Sequence, residues 1–237
     1  MKKRSVYPVL LFFFLCVSTN GKAQSVEEVL NKVTDFYKNT PQYRVQMNFT
    51  LLRGLNGNKV TESYDAFMER NGNYTKNVIL GTSVFVFQNG QIVMDQSNKK
   101  ITYSKDATLS KLSANFNMNS FLEYYKSSQL IDLGEKWICE MVSANRNFFQ
   151  LPYSKIELHI NKRNYSVVKQ VLYFANLIPF YNKENKTTKQ DYGRMVIALS
   201  HDFDAKVDKL KLSDFVTVLP NNNVQLQKDY NDYQLVK

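Results

Sequence analysis

The chain is poor in the residues that most chemistry needs. Among 237 residues there are two cysteines, two histidines, eight glycines and one tryptophan. Two histidines, His159 and His201, cannot assemble a His/Cys metal centre with ligand spacing. Eight scattered glycines form neither a phosphate-cradling loop nor a Gly-x-Ser-x-Gly nucleophile elbow. The densest ionisable cluster is His201-Asp202-Phe203-Asp204. On a strand its two aspartates share a face and His201 points away, so it reads as a polar strand end. Glu27-Glu28 falls at a helix start, where carboxylates favour the dipole. These residues argue against an enzyme and call for no cofactor and no metal. Basic residues form no block interleaved with aromatics, which argues against nucleic acid as a partner. No later apolar run is long enough for a membrane-spanning helix.

The amino terminus has an export pattern. Lys2, Lys3 and Arg4 precede the apolar run Val9 to Val17, and Gly21-Lys-Ala23 offers small residues at a cleavage site. The expectation is a signal peptide over 1–23, cleaved near Ala23, and one domain over 24–237 in the periplasm. Removing Lys2, Lys3, Arg4 and Lys22 from the 31 basic residues leaves 27 against 21 acidic ones, a mild surplus of six. Acylation at Cys16 is a weaker reading, because Leu15 stands where a small residue is expected. Cys139 would then be the lone cysteine of an exported chain, a buried small hydrophobe with no disulfide to support the fold.

What the chain has in abundance is aromatic, alternating sequence, with sixteen Phe and fifteen Tyr. Ser25 and Glu28 have capping-box spacing, and Val26, Val29, Leu30, Val33 and Phe36 or Tyr37 make one apolar helical stripe that Pro41 ends. Tyr43, Val45, Met47, Phe49 and Leu51 then alternate with polar residues, the period of a strand. Asn-Gly pairs at 56–57, 71–72 and 89–90 mark hairpins, so residues 43–104 read as an antiparallel meander. Residues 105–129 lose this rhythm and read as one or two helices, a fixed cover or a movable lid. Strands resume at 136–143, 147–151, 155–160, 165–174 and 194–203. The polar stretch 182–191 reads as an exposed loop. The predicted fold is mainly β with a few helices (α+β): a single curved antiparallel sheet forming an incomplete barrel, its open, concave side covered by helices. Aromatics on such a sheet either fill a core or line a ligand cavity.

The order of elements resembles the LolA/LolB superfamily of lipoprotein carriers. The segments that carry the likeness are Phe67-Met-Glu-Arg70-Asn-Gly-Asn-Tyr74, Val86-Phe-Gln-Asn-Gly-Gln-Ile-Val93, Lys100-Ile-Thr-Tyr103 and the hairpin 155–174. The resemblance implies an apolar cavity that takes acyl chains of lipoproteins or lipids for transfer toward the outer membrane. It also implies that Arg70 hydrogen-bonds to a helical lid. The side chains expected to line the cavity are Met47, Phe49, Leu51, Met68, Phe85 and Phe87. The expected partners are lipid or lipoprotein acyl chains and an inner- or outer-membrane envelope complex, and the expected state is a monomer. The alternative is a non-catalytic scaffold of the same fold, its interior filled by its own side chains and bound to an envelope or secretion complex.

Overall fold

Ser25 starts the first helix by reciprocal capping. Its hydroxyl accepts from the Glu28 amide, and its own amide donates to the Glu28 carboxylate, both at 3.1 Å. Helix α1 (Val26–Asn39) buries Val26, Val29, Leu30, Val33 and Tyr37 and ends at Thr40, before Pro41. The computed structural model describes residues 24–105, 120–125, 127–143, 151–182, 185–220 and 223–236. The expected signal peptide, residues 106–119 of the expected helical stretch and residues 147–150 of an expected strand lie outside the described residues.

The meander follows as β1 (Gln42–Arg53), β2 (Val60–Asn71), β3 (Tyr74–Ile79), β4 (Thr82–Phe87), β5 (Gly90–Asp95) and β6 (Lys100–Ser104). A short helix α2 (Ser120–Tyr124) leads into β7 (Ser127–Asp132) and β8 (Lys136–Val142). Residues 127–129, expected to be helical, are therefore strand, held by the register of Ser127 on Val142 and Gln129 on Glu140. Next come β9 (Tyr153–Asn161), β10 (Val167–Phe174), β11 (Ile178–Asn182), β12 (Thr187–Asp191) and β13 (Gly193–Asp202). The polar stretch expected as a loop thus contains β12, which pairs along its length with β11. The chain ends with β14 (Val216–Val218), β15 (Val224–Leu226) and β16 (Gln234–Val236).

Twelve strands form one sheet in the order β16-β6-β5-β4-β3-β2-β1-β13-β10-β9-β8-β7. All pairs are antiparallel except β16 on β6. The sheet is curved but not closed, since β16 and β7 remain its two edges. Among the described residues no helix is long and apolar enough to cross a membrane.

Two separate cores form on the two faces. Helix α1 packs on one face against Tyr43, Val45, Cys139, Met141, Ile156, Leu158 and Ile160. On the other face, Tyr74, Phe85, Phe87, Ile92, Met94 and Ile101 are covered by the carboxy-terminal segment through Ala205, Val207, Phe215 and Val216. Burying both faces explains why β4 reads Val-Phe-Val-Phe without a polar side.

Candidate functional site

Cross-strand partners share a face, so the register decides which side chains meet. One row across the α1 face runs Tyr43, Arg70, Thr75, Val86; the next runs His201, Val45, Met68, Asn77, Val84. These residues, with Met47, Leu199, Val167, Gln170 and Tyr37 of α1, surround a cavity of about 460 Å³. Its walls are mainly aliphatic and thioether side chains, and its size falls within the usual range of roughly 300–1,000 Å³ for ligand pockets.

Tyr37 and Arg70 bind α1 to the sheet at this cavity. The Tyr37 hydroxyl accepts from the Val167 amide at 3.1 Å and shares a hydrogen bond with His201 Nε2 at 2.8 Å. Burial lowers the His201 pKa to about 4, so at neutral pH the imidazole is uncharged. Burial also raises the phenol of Tyr37 above its ordinary range. Arg70 Nη1 donates to the Tyr37 carbonyl at 2.8 Å, in the last turn of α1. Its Nε donates to the Gly72 carbonyl at 3.1 Å, and its guanidinium lies over the Tyr43 ring, 6.0 Å from the centroid. Thr75 is 5% exposed, and among the described residues its hydroxyl has no hydrogen-bond partner.

The side chains singled out from the sequence separate into three places. Met47, Met68 and Arg70 line the cavity. Phe49 and Leu51 lie further along β1 on the same face, outside the cavity lining, with Phe49 stacked on Tyr64 at 4.9 Å. Phe85 and Phe87 lie on the opposite face in the second core. Phe85 packs 4.6 Å from Phe215, and Phe87 also lines a separate groove of about 480 Å³ beneath Leu212 and Val216. The reason is parity. Val84 and Val86 alternate with Phe85, and the valines occupy the cavity side.

Sequence reasoning did not place Tyr37, Thr75, Gln170 or His201 at the cavity. Only the strand parity of His201 was readable; its neighbour Tyr37 lies 164 residues away in the chain. Asp202 and Asp204 form a local strand-end turn, the Asp204 amide donating to Asp202 Oδ1 at 3.1 Å. Among the described residues no group of three His, Cys, Asp or Glu side chains comes together as a metal site. Cys139 is fully buried, and burial pushes its thiol up to about 12. A further ionic cluster, Lys155 between Glu157 at 2.7 Å and Glu140 at 3.1 Å, lies on the sheet face away from α1.

No protein-family model and no curated protein sequence matches the chain. Several solved structures are similar to the chain. A LolA superfamily protein from Nitrosomonas europaea is 13% identical, over 87% of this chain and 99% of its own, at a TM-score of 0.35. A putative outer membrane lipoprotein-sorting protein domain from Vibrio parahaemolyticus is 11% identical over 77% and 94%, also at 0.35. An uncharacterized conserved protein from Thermus thermophilus is 9% identical over 74% and 86%, at 0.40.

Proposed function

We propose that the protein is a periplasmic carrier that shields an acyl chain of a lipid or lipoprotein, exported with cleavage after Ala23. The observation that supports this most is the apolar cavity between α1 and the sheet, walled by Val45, Met47, Met68, Val84 and Leu199. A cavity of this kind holds a hydrocarbon by removing it from water and needs no catalytic group. At about 0.8 kcal/mol per buried CH₂, a twelve-carbon chain gains on the order of 10 kcal/mol before the costs of association. Arg70, bonded to the last turn of α1, would act in this reading as the latch between sheet and helix.

The test is native mass spectrometry of the processed protein from its own envelope fraction, followed by titration of delipidated protein with a fluorescent fatty-acyl probe. A bound mass of acyl-chain size that added fatty acid displaces, and probe uptake blocked by Met47→Trp, are the expected results. An unliganded mass with no probe uptake overturns the carrier reading. Stable co-isolation of that empty protein with a membrane complex would establish the scaffold in its place.

A further inference from the structure

The cavity has a polar end, and its composition is unusual for a site that only holds hydrocarbon. Arg70 brings a permanent positive charge to the lining, yet the oxygens it bonds are neutral, the Tyr37 and Gly72 carbonyls, and its other neighbour is the ring of Tyr43 at 6.0 Å. Its nearest acidic neighbour in sequence, Glu69, points to the opposite face, where it accepts from Arg44 at 2.6 Å and lies 3.8 Å from Lys76. A guanidinium has five N–H donors, so these bonds leave donors to spare. Beside it, in register, Thr75 presents a buried hydroxyl that no atom of the described residues satisfies. Leaving such a group unpaired is costly, which makes it a mark of a site completed by a ligand. His201 is uncharged and already bonded to Tyr37, so it adds no second charge to the cavity.

Resting on the carrier reading, we propose that the ligand is a single-chain amphiphile with an anionic oxygen head. The head sits on Arg70 and Thr75, and the chain runs along Val45, Met47, Met68, Val84 and Leu199. One head oxygen accepts from the free guanidinium N–H, and another accepts the Thr75 hydroxyl. A charge-assisted pair of this sort outweighs a neutral one about twofold in strength, so an alcohol of equal length is the weaker ligand. Carboxylate and phosphate monoester heads share this chemistry.

The experiment is displacement of a fluorescent acyl probe from delipidated protein at pH 8 by dodecanoate, dodecyl phosphate and dodecanol. The expected result is that at least one anionic ligand competes about tenfold or more better than the alcohol, the value for one charge-assisted hydrogen bond. The tighter of the two anions tells a fatty-acid source from a phosphate-headed lipid. Arg70→Gln should collapse the anion-to-alcohol ratio toward one. Because that change also frees the end of α1, Thr75→Val is the second variant; it keeps the shape, and it should narrow the ratio about threefold or more, because the lost hydroxyl bonds an anionic oxygen more strongly than a neutral one. Equal competition by all three ligands, or variants that leave the ratio intact, overturns the head-group assignment while the carrier reading stands. Failure of all three to displace the probe overturns both.

Discussion

Truncating Phe85 to alanine separates stability from ligand binding and so tests which face of β4 does what. Phe85 is 5% exposed, with its ring against Phe215 in the second core. Removing a buried phenylalanine costs about 3–5 kcal/mol, part of it from lost aromatic pairing. The carboxy-terminal cover can settle only partly into the space, so a loss of about 4 kcal/mol is expected. With a urea slope of ~2.5 kcal/mol/M, the unfolding midpoint falls by roughly 1.5 M. At low urea and moderate temperature the variant is still folded, and its affinity for an acyl probe changes less than twofold, because Val84 and Val86 still line the cavity. Urea titration followed by circular dichroism gives the first quantity and probe titration the second. A stability loss under ~1 kcal/mol, against the large-to-small range, would refute the second core. A tenfold loss of affinity, about 1.4 kcal/mol, would refute the assignment of faces.

Acid should weaken the fold through His201. Its pKa is about 4 in the fold against the ordinary 6.5 of a free histidine, so the unfolded chain takes up a proton first, and stability present above pH 6.5 is lost as pH falls toward 4. Discounted for partial exposure, the loss is about 2 kcal/mol, and His201→Gln should flatten the difference between urea midpoints at pH 7.5 and 4.5. Cys139 should resist Ellman's reagent in the native protein and react in urea in step with unfolding; prompt native labelling would contradict its burial. Gly193→Ala should be destabilising by about 1–3 kcal/mol through overpacking. A Cβ there would come within 2.8 Å of Phe180 and 2.9 Å of Ile178. Faster amide exchange over residues 178–191 should accompany the loss, and an unchanged melting temperature would count against that contact.

Local signals in the sequence were readable because their causes are local. The capping box names the start of α1, the Asn-Gly pairs name the hairpins, and alternation puts Met47 on one face with Tyr43 and Val45. Alternation fails at β4, where Val84, Phe85, Val86 and Phe87 are all apolar. Which pair faced the cavity depended on a cover contributed by Phe215, 130 residues later. The pairing of β12 was hidden for the opposite reason. Thr-Thr-Lys-Gln-Asp has no apolar rhythm, and its strand is made by backbone bonds to β11. The cavity's polar end needed two long-range facts: that Thr75 lies in register with Arg70, and that α1 ends beside both.

The parallel pairing of Gln234–Val236 with Lys100–Thr102 has a consequence for how the polypeptide matures. During vectorial synthesis, the meander emerges with Phe85, Ile92 and Ile101 uncovered, and it stays so until Phe215 and Gln234–Val236 have appeared. Folding of that half therefore waits on residues more than a hundred positions downstream, and the nascent intermediate carries a greasy face and an open strand edge that invite aggregation. A stop codon placed before Phe215 would leave this state permanent, so short carboxy-terminal truncations should be recovered as insoluble protein although α1 and the first strands are intact.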